Sequence, residues 1–285
     1  MHNPLHPVFG TSANSLKAPA VFLRHGFLSD GSIFQALETT INSSLPGSLV
    51  DRSSYDWKAP VMINGLRLAQ QVLNSAGERP IYLVGHSMGG LISRVAAIAL
   101  HDPAAMLQHL KFLWAGWNFD LAEAKSLCSI LQPREIAGVV TLATPNSGAV
   151  THGQLSLLAH LLRKPFSSYA NSVVDLTTDH LYRFLQRYAV DIPALSVSGS
   201  AFSVLSKQTR GPLRIATGLK MPNDGIVEDI SVDLTQSVLP NEIVNSLSSR
   251  YLHIRAYSDC TDVWHTTIHQ NSRVQDFVVE FISLT

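Results

Sequence analysis

The sequence predicts an α/β fold: a mostly parallel central sheet covered by helices on both faces. Along most of the chain, short apolar stretches that read as strands alternate with stretches of helical spacing. Those strands are apolar on nearly every residue instead of every second one, the pattern of strands buried on both faces. Bulk agrees, because 285 residues, 46% hydrophobic and 15% charged, suffice for a substantial core in one domain spanning 1–285.

The elements follow in order. "APAVFLRHGF", Ala18 to Phe27, opens as a strand and ends in His-Gly, and "SIFQALETTINSSL" continues with helical spacing. "GSLVDRSSY" reads as a second strand and "PVMINGLRLAQQVLNSAG" as a helix closed by Gly77. Next comes "PIYLVGHSMGGLISRVAAIAL", a strand, a sharp turn and a helix. "IAGVVTLATP", "IPALSVSGS" and "RYLHIRAYS" are three further strands, and "SRVQDFVVEFI" is an amphipathic terminal helix. Residues 103–132 and 147–191 leave the alternation. Both are expected to be mostly helical insertions over the mouth of a site at the carboxyl ends of the strands, the second of them a cap or lid.

The glycines around Ser87 explain the sharp turn. A serine held between a strand and a helix sits in a strained conformation, and the residues two before and two after it must lack side chains. Gly85 and Gly89 fill those places, and Gly90 permits close helix packing. The turn sets the hydroxyl at the positive end of the following helix, where developing negative charge is stabilised. This is a nucleophile elbow, G-x-S-x-G.

A serine hydroxyl needs a base, an acid that orients the base, and donors for an oxyanion. In this architecture the acid and then the histidine follow the serine along the chain. "PNDGIVEDIS" supplies Asp224 in a turn after the "PALSVSGS" strand, although Asn-Asp-Gly is a turn signature in its own right and Asp262 is an alternative acid. "SDCTDVWHTTIH" supplies His265 in the loop before the last helix; its competitor His269 is placed at the start of that helix, facing away by one turn. The oxyanion donors are the backbone N–H groups of Met88, after the serine, and of Phe27, where Gly26 lets the chain turn beyond the first strand. His25 is expected to be structural.

With these residues in view the chain resembles the α/β-hydrolase lipases, and more narrowly the bacterial triacylglycerol lipase and PGAP1-like lipase group. The resemblance lies in "FLRHGF", "YLVGHSMGGL", "VVTLATPNSGA", "NDGIV" with Ser231 beyond it, and a histidine ahead of the last helix. It implies hydrolysis of carboxylic esters through an acyl-enzyme, no organic cofactor, and a mobile helical cap. Other acyl transfers on the same triad (thioesterase, amidase or acyltransferase) are the nearest alternatives, and a non-catalytic binding scaffold is a more distant one. Calcium is not carried over, because Thr266, Thr267 and Ile268 follow His265 where some relatives place an aspartate. Arg24 departs from the aliphatic residue usual before His-Gly. It either reads an anionic substrate or pairs with a carboxylate on the neighbouring strand, such as Asp51.

Within the second insertion, "GQLSLLAHLLRKPF" puts leucines on more than one face of a short helix. Leu158 and Leu162 are then either core residues or the lining of an acyl pocket. The implied partner is a small-molecule or lipid ester, with transient contact at a lipid interface. Twenty-one basic and twenty-one acidic side chains give a formal net charge of zero, which calls for no nucleic acid, and nothing calls for an obligate protein partner. The first twenty residues carry neither a basic run nor a continuous apolar stretch. The chain is therefore expected to be cytoplasmic as written, or secreted if a signal sequence precedes this numbering. Cys128 and Cys260 are expected to be separate buried thiols in preference to a disulfide.

Overall fold

The structure, a computed structural model, describes residues 17–113, 119–147, 172, 175–176, 179–187, 192–199, 232, 234, 251–256 and 263–285. Among these residues six strands form one sheet: β1 (Ala20–Arg24), β2 (Leu49–Asp51), β3 (Ile81–His86), β4 (Gly138–Leu142), β5 (Ala194–Gly199) and β6 (Tyr251–Ala256). Their order is β2-β1-β3-β4-β5-β6, and each neighbouring pair is parallel. The order reverses between β1 and β3. In open parallel sheets that reversal opens a crevice beyond the carboxyl ends of the two strands, and there the chain carries His25-Gly26 and Ser87.

Among the described residues seven helices accompany the sheet: α1 (Gln35–Ser44), α2 (Val61–Ser75), α3 (Met88–His101), α4 (Pro103–Leu113), α5 (Leu121–Ser129), α6 (Asp179–Arg187) and α7 (Ser272–Leu284). The helix expected from Ser32 opens instead as a 3-10 turn, Gly31–Phe34, because the Asp30 side chain accepts from Ser32 N and fixes a tight first turn. Helices α4 and α5 fall in the stretch 103–132 and α6 in the stretch 147–191. Leu158 and Leu162 lie outside the described residues.

Strands β1, β3, β4 and β5 are buried at every residue. On one face Ala20, Phe22, Ile81, Leu83 and Val139 pack with α2 and α3, through Leu66, Ala69, Leu91 and Val95 among others. On the other, Val21, Leu23, Val84, Val140 and Leu195 meet Leu37 and Ile41 of α1 and Val274, Val278 and Phe281 of α7. Helix α3 is buried from Met88 to Leu100, which is why its sequence shows hardly any polar face.

Arg24 is 2% exposed, and it is held by Asp51 and Gln71. Its Nη1 lies 3.3 Å from Asp51 Oδ1, its Nη2 donates to Gln71 Oε1 at 2.6 Å, and Gln71 Nε2 closes the triangle to Asp51 Oδ2 at 2.6 Å. The guanidinium thus serves the β1–β2 edge. Cys128 is a buried thiol outside any disulfide, its pKa pushed up to about 12 by burial, and Cys260 lies outside the described residues. Among the described residues no helix is long and apolar enough to cross a membrane.

Helix α2 starts after Pro60, which has no side chain to cap it, and Asp175 supplies the acceptor from a distant part of the chain. Its Oδ2 accepts from Val61 N at 2.7 Å, while burial pushes the carboxyl pKa from 3.8 up to about 7. A raised folded pKa means that the native state holds the proton more tightly than the unfolded chain, so stability falls as pH rises from about 4 to about 7 and is level above. Asp175→Asn keeps an acceptor and removes the charge. Relative to the parent it is expected to gain up to roughly 4 kcal/mol between pH 4 and pH 8. Urea unfolding of both proteins across that range measures the difference; parallel curves would refute it.

Candidate active site

Three non-glycine residues among those described have positive φ: Leu28 (55°), Ser87 (54°) and Ala143 (50°). They stand just beyond the carboxyl ends of β1, β3 and β4, so local strain is concentrated on the edge of the sheet where the crevice opens. At Ser87, ψ is −125°, and the residue links β3 directly to the first residue of α3.

What makes that turn affordable is missing Cβ atoms. A Cβ on Gly85 would run into the Gly89 backbone, as the sequence argument requires. A Cβ on Gly89 would meet the carbonyls of Arg24 and His25 instead, so this glycine also serves the approach of β1 to the elbow. A Cβ on Gly26 would stand 2.9 Å from Ser87 Cβ, and one on Gly90 would strike Thr144 at the end of β4. The His25-Gly26 bend is therefore seated against the serine.

The half-buried Ser87 faces His265 across the crevice. His265 Nε2 lies 2.9 Å from Ser87 Oγ, a contact between residues 178 apart in sequence. His265 occupies a turn, 6% exposed, closed by Thr267 N and Ile268 N, each donating to Trp264 O at 3.0 Å. Met88 is the first residue of α3, where a helix leaves its N–H without an intrahelical acceptor. Phe27 follows Gly26 on the opposite side, its ring edge-on to Trp57 with centroids 4.7 Å apart. The structure thus brings together Ser87, His265, Met88 and the Gly26–Phe27 bend. Asp224 and Asp262 lie outside the described residues.

His269 stands elsewhere than expected. It sits in a 3-10 turn, Ile268–Gln270, ahead of α7, whose own N-cap is Asn271. It is turned into the protein, 2% exposed, with its ring 5.1 Å from that of His86 and 5.9 Å from that of Phe34. Neither ring nitrogen has a hydrogen-bond partner, and burial lowers its pKa to about 4, so it is neutral at neutral pH.

Two neighbours carry no mark in the sequence. Tyr55, from the loop between β2 and α2, stacks on His25 with centroids 4.2 Å apart and donates its hydroxyl to the His25 carbonyl at 2.6 Å. His25 Nδ1 in turn donates to Gly26 O at 2.9 Å, the structural role expected of it. His86, the buried last residue of β3, whose ring meets the His265 turn, is the second.

No protein-family model matches this sequence, and no curated protein matches it. Solved structures do. The mature lipase BlEst2 of Bacillus licheniformis superposes with a TM-score of 0.55 at 18% identity, over 95% of this chain and 94% of that one. The lipase of Staphylococcus hyicus gives 0.55 at 14% identity, over 99% of each chain. A metagenomic carboxyl esterase gives 0.52 at 16% identity, over 93% of this chain and 76% of that one. At such identities the likeness is one of fold. This chain has the α/β-hydrolase fold, its strained serine at the turn between β3 and α3.

Proposed function

We propose that the protein is a serine hydrolase of carboxylic esters, an esterase or lipase whose substrate carries a hydrophobic moiety. The observation that carries this reading is the 2.9 Å contact between Ser87 Oγ and His265 Nε2 at a strained strand-to-helix turn. In the proposed cycle His265 takes the Ser87 proton as Oγ attacks the ester carbonyl, and the N–H groups of Phe27 and Met88 receive the oxyanion. His265 then protonates the leaving alcohol. Water repeats the sequence on the acyl-enzyme, returning the acid and the serine. Asp224 is the proposed carboxylate that orients the imidazole, and Leu158 and Leu162 the proposed lining of the acyl pocket; both assignments rest on the sequence.

A hydrophobic substrate has support of its own. The large apolar side chains that stand exposed among the described residues are Leu28 at 53%, Ile130 at 53% and Trp264 at 36%. Leu28 follows Phe27 and Trp264 precedes His265, so two of the three are chain neighbours of candidate site residues. Exposed apolar side chains at those positions support an apolar substrate and transient contact with a lipid interface.

A fluorophosphonate probe and p-nitrophenyl esters of increasing acyl length test the reading. Covalent mass on Ser87 and saturable hydrolysis are expected. Folded protein that neither labels nor turns over any ester of the series would overturn it.

A further inference from the structure

His86 shares a peptide bond with Ser87, and its side chain reaches the turn that carries His265, the two rings 5.0 Å apart. Its Nε2 lies 2.7 Å from the backbone carbonyl oxygen of His265, 179 residues further along the chain. A carbonyl only accepts, so Nε2 must carry the hydrogen and donate it. Burial, helped by the neighbouring His265 and His269, lowers the His86 pKa well below 6.5, which leaves a neutral ring protonated at Nε2. Its other nitrogen, Nδ1, is buried with no partner. The ring uses one nitrogen for this single bond and leaves the other buried and unsatisfied, at a cost in free energy.

The consequence is geometric. Ser87 is fixed by the backbone, its N donating to Leu142 O at 2.9 Å. His265 belongs to a turn outside the sheet, and the His86 bond fastens that turn to the strand end that presents the serine. We propose that His86 is a positioning residue: by donating Nε2–H to the His265 carbonyl it sets the separation between the His265 ring and Ser87 Oγ. This rests on the reading of Ser87 and His265 as nucleophile and base. A misplacement of about 1 Å at such a pair can cost on the order of a hundredfold in rate.

Two amides separate the donated bond from the mere presence of a polar side chain. In His86→Gln an amide N–H reaches about as far as Nε2; in His86→Asn it falls short and strands the His265 carbonyl. On p-nitrophenyl butyrate, His86→Asn is expected to lower kcat by roughly 10–100-fold with KM within about twofold, and to slow fluorophosphonate labelling of Ser87 in parallel. His86→Gln is expected to recover all but about fivefold of both rates. Equal rates for the two variants, or a loss confined to KM, would overturn the positioning role. Should His86→Asn fail to fold, folded His86→Gln decides alone: recovery supports the role, and a loss of roughly a hundredfold overturns it. A parent protein with neither turnover nor labelled Ser87 would instead remove the hydrolase reading on which the role rests.

Discussion

Ser87→Ala is expected to fold as the parent does and to lose turnover by about a million-fold, the scale of serine removal in an unrelated triad. The two halves of that expectation have separate causes. The strained backbone at Ser87, φ 54°, is set by the glycines around it and by the bond from its N to Leu142 O, and none of these involves the hydroxyl. Alanine also keeps the Cβ against which Gly26 is seated. What disappears is one half-exposed hydrogen bond to His265, worth about 1 kcal/mol of stability. The chemistry loses the atom that forms the acyl-enzyme. Fluorophosphonate labelling should vanish with the turnover, and a melting curve close to the parent's establishes that the loss is chemical. A variant that keeps more than a few per cent of the activity would show that the nucleophile is another residue.

Much of this arrangement was legible because its causes are local or periodic. Strands β3, β4 and β5 could be read from apolar runs that only burial on both faces produces. The elbow was legible because its sterics demand glycine at fixed offsets from Ser87, and the structure shows backbone in the space their side chains would need. Asp51 could be named as a partner for Arg24 because adjacent parallel strands bring their ends together.

The unread parts share one physical feature: the partner is a backbone atom far away in sequence. Any residue can supply the carbonyl that His86 bonds, so nothing at position 265 announces it. The same holds for the Val61 N–H that Asp175 caps across 114 residues, and for the His25 carbonyl that anchors Tyr55. His269 was misplaced for a different reason. A 3-10 turn followed by a capped helix keeps nearly helical spacing, so the sequence does not show that His269 stands ahead of α7, on a turn that faces its ring into the protein. The "NDGIV" turn, half of what narrowed the resemblance, lies outside the described residues, as does Asp224 within it.

That misplacement sharpens the choice between the two histidines. His265→Ala is expected to cost about as much as the serine change, on the order of a million-fold in kcat, because one imidazole both accepts the Ser87 proton and returns it to the leaving group. The backbone carbonyl at 265 survives the substitution, so the bond from His86 still holds the turn and the loss reports the side chain alone. His269→Ala removes a ring that makes no hydrogen bond but fills space beside His86 and Phe34. Its cost is expected mainly in stability, about 2–4 kcal/mol for the cavity left in a buried site, with turnover reduced by less than about tenfold. Unfolding curves and kcat measured on the same two variants therefore move in opposite order. A folded His269→Ala protein as inactive as His265→Ala would overturn the assignment of the base to the ring lying 2.9 Å from the serine.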